Sequence, residues 1–349
     1  MDVTALQTPI VLAPMAGGFN TPELAAAVAN SGGVGSFGFA YSNPEAIDRS
    51  LLSARQLTAG HLNANFFIFS DVTEPNADTF QQAFAAITGL VQPKAFDAQV
   101  PARPFFPDLE AQLEPVWAHR PAVLTFHFGL PNKAVLERAH ELGIRVGVTA
   151  TCVSEALSVQ AAGADFIVAQ GWEAGGHRGC FDPELADDAL DTKTLTAKLT
   201  QSVDLPIVAA GGLMTGSDIA GVLEAGACAA QLGTAFLTCP EAGTPDLHRQ
   251  FMLQAKNRET GFTQAFSGRP ARGIQNAFMR EMENKPRLPF PLQNTLTGGL
   301  RRWAGDTGNY EYQSVWAGTG LTKLRSMPAS GLVALLMQEC SASAIKGGG

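Results

Sequence analysis

Hydrophobic positions along the chain cluster into short, near-continuous apolar runs. Most of these runs lead into a stretch rich in Ala, Leu and Glu with apolar residues at helical spacing. The runs predict strands over 10–17 (IVLAPMAG), 34–40 (VGSFGFA), 62–68 (LNANFFI), 122–129 (AVLTFHFG), 145–152 (RVGVTATC), 166–172 (FIVAQGW), 206–212 (PIVAAGG) and 229–236 (AAQLGTAF). Helices are predicted between them, among others in TPELAAAVANSGG, PNKAVLERAHELG, VSEALSVQAAGA and TGSDIAGVLEAGA, several ending at a glycine suited to a left-handed cap. Strands that carry no polar face must be covered on both sides, which points to an α/β fold with a closed parallel (β/α)8 barrel. A doubly wound sheet is the alternative. It is disfavoured because the N-terminal glycines lack the G-x-G-x-x-G spacing of a dinucleotide fold, and the Gly-rich turns follow the last two strands instead.

Two segments fall outside this repeat. The first, roughly 69–120, carries VQPKAFDAQVPARPFFPDLE, which is too irregular for one helix and is expected to cross the barrel mouth. The second begins after about 238, where helical patterns alternate with GRPARG, NKPRLPFPLQN and AGDTGNYEYQ. The chain therefore reads as a barrel over 1–238 and a C-terminal helical lid or subdomain over 239–345, with the closing GGG expected to be disordered.

Composition narrows the function. With 349 residues, 46% hydrophobic and only 16% charged, the chain can bury a large core. The net charge of -8 and the absence of a basic run argue against a nucleic-acid partner. No apolar stretch approaches the roughly 18 to 20 residues that span a bilayer, so no membrane association is expected. MDVTALQTPIVLAPMAGG lacks a basic leader region, which gives a cytoplasmic setting as the expectation. The five cysteines form no C-x-x-C pair, against a disulfide framework or a thiolate metal site. No Ser-His-Asp order, H-E-x-x-H helix or carboxylate cluster supports hydrolysis by a triad or a metal.

In a barrel the reactive groups sit where strands end, on the C-terminal face. The last two strands end in Gly211-Gly212 and Gly233-Thr234, turns whose bare backbone N–H groups suit a phosphate. The sixth runs into Gln170-Gly171-Trp172-Glu173-Ala174-Gly175-Gly176-His177-Arg178-Gly179. His177, set among glycines that cannot pack a core imidazole, is the candidate for proton transfer, with Gly175 and Gly176 as candidate cofactor contacts. Arg178 reads equally as an anion partner or the mate of a loop carboxylate, and Glu173 as a solvated or paired side chain. Ala13, Pro14 and Met15 offer backbone and a thioether to a flat ring system, while the amides of Asn65 and Gln170 need either a ring edge or a neighbouring backbone as partner. His127 stands between a supporting polar contact and a buried structural role; His61, His119, His140 and His248 read as surface or helix positions. Together these features imply a bound mononucleotide whose ring does redox work.

The segments APMAGG, LNANFF, TFHFGLP, VAQGWEAGGHRGCF, PIVAAGGL, AAQLGTAFL, FSGRPARGIQNAFM and YQSVWAG resemble the nitronate monooxygenase family, formerly 2-nitropropane dioxygenases, in that family's order and over nearly the whole chain. The class I branch is the most similar. The resemblance implies non-covalent FMN, its phosphate at Gly211, Gly212, Gly233 and Thr234 and its ring against Ala13, Pro14, Met15, Asn65 and Gln170, with His177 as the base. It also implies oxidation of alkyl nitronates such as propionate 3-nitronate by O2 to a carbonyl compound and nitrite. Trp172 and Thr319 depart from the family's usual small residue and Gln, and are expected to narrow or reshape the pocket. The FMN-dependent enoyl-acyl carrier protein reductases, which use NAD(P)H, are the neighbouring alternative; a non-enzymatic phosphate-ligand sensor is a third.

Overall fold

The computed structural model describes residues 1–91 and 96–347; part of the irregular run, 92–95, and the last two of the closing glycines lie outside the described residues. Each predicted apolar run forms a strand: β1 Ile10–Leu12, β2 Val34–Gly38, β3 His61–Phe67, β4 Val123–His127, β5 Arg145–Ala150, β6 Phe166–Gln170, β8 Ile207–Ala210 and β9 Ala229–Leu232. A two-residue strand, β7 Gly176–His177, falls between β6 and β8. The barrel closes in the order β1-β2-β3-β4-β5-β6-β8-β9, with β1 pairing both β2 and β9 in parallel. The chain forms the expected (β/α)8 barrel.

The strands stop earlier than the apolar runs do. Pro14 has no N–H to continue a ladder, and the glycines ending the later runs turn the chain outward, so the run tails become rim loops. Local signals set the helices between strands. Thr21, Asn43 and Asn132 each accept a backbone N–H at a helix start, and Pro22 and Pro44 occupy first-turn positions where no N–H is needed. Thr215 and Asp218 form a reciprocal capping box on the helix Gly216–Glu224.

The 69–120 segment holds two helices joined by the irregular run. Leu109–His119 lies against Pro44–Leu57 in the outer ring, fixed by Gln112 Nε2 donating to the carbonyls of Phe39 and Ser42 at 3.1 and 2.7 Å. Ala77–Thr88 instead contributes Ala83 and Ile87 to a separate core with Phe266, Phe278, Leu296 and Leu300. The irregular run does reach the mouth: Phe106 stacks on Phe69, centroids 4.8 Å apart, and Phe69 stacks on Phe290 at 5.6 Å.

After the barrel come β10 Thr260–Thr263 and β11 Ala271–Ile274, which form with β7 an antiparallel sheet in the order β10-β11-β7. The chain then returns to the barrel wall. The final helix, Ala329–Gly347, packs on Gly216–Glu224 so closely that a Cβ at Gly216 would lie 2.3 Å from the Leu336 carbonyl oxygen and the Cys340 nitrogen. Glu339 accepts from the Gly216 N–H at 2.9 Å and pairs with Arg325 at 2.7 Å. Leu336 is fully buried at this seam. Leu336→Ala is therefore expected to destabilise the barrel, not only its C-terminal part, by about 2–5 kcal/mol. Denaturant unfolding should show one transition moved to lower midpoint; an early separate transition with the main one unmoved would contradict the seam.

Candidate active site

The rim loops enclose a cavity of about 620 Å³ at the C-terminal ends of the strands, within the range that small-molecule and cofactor sites occupy. The sequence candidates converge on it: Ala13, Pro14, Met15, Asn65, Gln170, Gly175, Gly176, His177, Gly211, Gly212, Gly233 and Thr234 all line its wall.

On the β8 and β9 side the backbone is bare. Gly211 and Gly212 have φ of +125° and +66°, and a Cβ on Gly212 would meet Glu173 Cβ at 2.8 Å. Only glycine lets this turn hold its N–H groups open to the cavity. The Thr234 hydroxyl accepts the Gly318 N–H at 3.0 Å and keeps its own proton to donate. Neutral donors and glycine backbone are the chemistry a phosphate requires, and the cavity has the size of a mononucleotide site, so the residues fit FMN. The Asn65 amide donates to Thr125 Oγ1 at 2.9 Å and to its carbonyl at 3.2 Å, at the end of a buried chain running through Asn63 to Ser36. No described protein group donates to its Oδ1.

His177 is carried over the mouth by β7. Gln170, at the end of β6, holds this loop from both sides: its Nε2 donates to the His177 carbonyl at 3.0 Å and its Oε1 accepts the Gly179 N–H at 2.7 Å. Of the two partners open to Gln170 from sequence, the backbone is the one used. His127 donates from Nε2 to the same carbonyl at 3.2 Å and accepts from Thr149 Oγ1 at 3.0 Å through Nδ1, so it supports the loop from beneath. Arg178 turns away from the cavity. It is buried, forms a two-pronged pair with Asp187 at 2.7 and 2.9 Å, and donates to the Gln170 carbonyl. Glu173 accepts the backbone and hydroxyl protons of Thr192 at 2.9 and 3.0 Å, at the start of the helix Thr192–Ser202.

The His177 ring lies against Phe67, Phe128, Phe290 and Trp316, with centroids 5.6–5.9 Å away. Its Nε2 is 2.9 Å from Ser267 Oγ. Ser267 Oγ also lies 3.1 Å from the Arg269 carbonyl oxygen, and the imidazole Nδ1 has no hydrogen-bond partner among the described residues. Burial, then His127 and the guanidinium groups of Arg269 and Arg301, push the imidazole down to about 3. None of the charged groups acting on the ring is a carboxylate.

Some expectations fail here. Trp172 does not narrow this cavity: it packs on Phe262 at 4.3 Å and lines a second crevice with Arg178 and Cys180. Thr319 sits behind the glycine turn, its N–H donating to the Glu173 carbonyl at 3.1 Å, and is absent from the wall. The loop after β6 sends Trp172 outward before it returns as β7, and Thr319 backs that loop from the C-terminal segment. His248 lies on a helix as expected but is buried in the cavity wall, edge-on to Phe19 and Tyr310. Ser267, Tyr41 and Arg301 were not read as site residues; Tyr41 directly follows the predicted strand 34–40, and its strand-end position was the available signal, whereas Ser267 and Arg301 lie in segments with no such mark and only the fold brings them to the mouth. Among the described residues no cluster of His, Cys, Asp and Glu could hold a metal ion, and no helix is long and apolar enough to cross a membrane.

Known proteins agree with this geometry. The family model described as nitronate monooxygenase matches residues 2–339. A nitronate monooxygenase of Paraburkholderia phytofirmans is 39% identical, the alignment covering 98% of this chain and 95% of that protein. Among solved structures, a nitroalkane oxidase from Streptomyces ansochromogenes superposes with a TM-score of 0.90 at 35% identity, covering 98% of each chain. FabK from Thermotoga maritima superposes less well, with a TM-score of 0.76 at 26% identity over 99% of this chain and 96% of that one.

Burial also depresses His127 and His248, each to about 4. A histidine whose folded pKa lies below its unfolded value of about 6.5 takes up a proton on unfolding, so its contribution is intact above pH 6.5 and is lost as pH falls toward the folded value. Each such group adds a slope of about 1.4 kcal/mol per pH unit in that window. Urea midpoints should fall steadily from pH 6.5 to 4.5, and His248→Phe, which keeps the ring contacts, should make that fall shallower. An unchanged slope would mean that His248 is protonated in the folded protein.

Proposed function

The chain belongs to the nitronate monooxygenase family of flavin-dependent oxidoreductases, and from that premise we propose that it binds FMN and oxidises alkyl nitronates, such as propionate 3-nitronate, with O2 to a carbonyl compound and nitrite. The observation that carries the reading is His177: an uncharged imidazole with Nδ1 free, over a cavity whose other wall is a glycine cradle.

In this reading the backbone N–H groups of Gly211, Gly212 and Gly233, with the Thr234 hydroxyl, hold the FMN phosphate; Ala13, Pro14, Met15, Asn65, Gln170, Gly175 and Gly176 contact the ring system. FMN, when bound, supplies the one-electron and O2 chemistry that no side chain can. The protein supplies position and proton control. A nitronate is already a carbanion equivalent and needs no base. A neutral nitroalkane must first lose its α proton, which His177 Nδ1 can accept while Nε2 stays bonded to Ser267. The rings of Phe67 and Trp316, which line the cavity beside His177, suit a short alkyl chain.

Two measurements test the proposal. In an anaerobic absorbance titration of the holoprotein, propionate 3-nitronate should perturb the flavin bands while NADH and NADPH leave them unchanged. Rapid bleaching by a reduced nicotinamide, with no response to nitronate, would move the assignment to an enoyl-acyl carrier protein reductase. His177→Asn should retain bound FMN and lose about 100- to 10,000-fold in kcat/KM on neutral nitroalkanes, with a far smaller loss on nitronates. Equal loss on both would remove proton abstraction from its role.

A further inference from the structure

The barrel interior holds a polar chain that closing the barrel does not require. Along β3, Leu62, Ala64 and Phe66 pack into the apolar layer beneath the helices, so the alternate residues Asn63 and Asn65 face the barrel axis. Ser36 on β2 lies opposite Asn63 in the register, and Thr125 on β4 lies opposite Asn65. All four are buried, in a space that such barrels ordinarily fill with branched apolar side chains. They are joined end to end: Asn65 Nδ2 donates to Thr125 Oγ1 at 2.9 Å, Thr125 Oγ1 to Asn63 Oδ1 at 3.0 Å, and Asn63 Nδ2 to Ser36 Oγ at 3.2 Å.

The chain has a direction. The Thr125 carbonyl oxygen, 3.2 Å from the Asn65 amide, can only accept, so the amide atom facing it is the nitrogen. The Thr125 hydroxyl accepts from that nitrogen and gives its single proton to Asn63 Oδ1. Asn65, which lines the cavity, is thereby left with Oδ1 as its free atom, without a donor among the described residues. Turning the amide over would set its oxygen against the Thr125 carbonyl and break the bond that leads to Asn63, a costly arrangement in a buried site.

We propose that Thr125 is a positioning residue for the cofactor: by holding the Asn65 amide in one orientation it makes this part of the wall a fixed hydrogen-bond acceptor, which selects a ring that offers an N–H there and rejects one that offers a carbonyl oxygen or an alkyl group. Oxidised flavin has one ring N–H, that of its N3 imide. The inference rests on the FMN reading and goes beyond it by naming the residue that sets the polarity of the contact. An untethered asparagine can rotate its amide to suit either kind of partner; one tied through its nitrogen to a carbonyl and a hydroxyl on the next strand cannot. Asn63 and Ser36 extend the restraint, because a Thr125 proton already bonded to Asn63 leaves that hydroxyl an acceptor toward Asn65.

The test titrates the full chain, stripped of flavin, with FMN and with 3-methyl-FMN, in which a methyl group replaces the N3 proton, and follows the quenching of flavin fluorescence. Wild type should bind FMN about 10-fold or more tightly than the methylated analogue. Equal binding of the two would overturn the inference and leave FMN binding and nitronate oxidation standing. A double-mutant cycle then asks whether Thr125 acts through Asn65. Thr125→Val should weaken FMN binding about 10-fold when Asn65 is present and less than about 3-fold in an Asn65→Ala background, while Thr125→Ser, which keeps the hydroxyl, should stay within about 3-fold of wild type. Thr125→Ala, which removes the hydroxyl without adding bulk, serves the same cycle if Thr125→Val does not fold. Equal losses in both backgrounds, or no loss in either, would overturn the positioning role. Absence of FMN binding by wild type would overturn the cofactor reading and this inference together, whereas FMN binding with this selectivity and no oxidation of nitronate would overturn the reaction alone.

Discussion

The site depends on the two hydrogen bonds by which the Gln170 amide grips the loop after β6, one to the carbonyl of His177 and one to the N–H of Gly179. A Gly-rich loop has a large conformational entropy to lose, and a buried amide with both ends satisfied is a strong local restraint. It fixes the direction of β7, which then pairs with β11 and draws Pro270 against Arg178 through a 2.8 Å backbone bond. Arg178 closes the ring by donating to the Gln170 carbonyl while Asp187 holds its other edge. The residue after the histidine thus secures the loop from outside the cavity, and the histidine is left to face in.

That restraint also explains why the C-terminal part cannot be separated from the barrel in chemical terms. Ser267 orients the imidazole, β11 carries β7, and Gly318 meets Thr234 at the cradle, so segments far apart in the chain meet at one mouth. The helix Ala77–Thr88 shares its core with residues around 266–300 rather than with the barrel. The insertion and the C-terminal segment are two halves of one cover, and the final helix anchors that cover by returning to Gly216–Glu224.

Much of this was legible in the sequence because barrel strands buried on both faces leave an unambiguous apolar signature. The glycines at 211, 212 and 233 mark strand ends by a local steric rule that needs no tertiary knowledge. Residues outside the repeat carried no such mark. β7 is two residues long, and β10 (TGFT) and β11 (ARGI) have too little alternation to stand out, since their stability comes from pairing with each other over the mouth. Trp172 was misjudged because its outward place is marked by packing on Phe262 and beside Arg272, residues about ninety or more positions away that carry no local sequence signature. His248 looked like any helix histidine until Phe19 and Tyr310 closed around it.

The arrangement of charge resolves an apparent conflict between two demands on the cavity. A base must be unprotonated near neutral pH, whereas an anionic substrate needs positive charge, and a protonated histidine would supply the second by sacrificing the first. Here the roles are divided. Arg269 and Arg301 carry positive charge that cannot be lost by deprotonation, and their field acts on His177 in the sense that keeps its proton off. In the proposed reading, the same guanidinium groups would therefore favour both an anion in the chamber and an unprotonated imidazole at His177. A carboxylate placed beside His177 would have done the reverse, raising its pKa and occupying the cation, which accounts for a chamber wall built from aromatic rings, amides and arginines without an acid next to the imidazole.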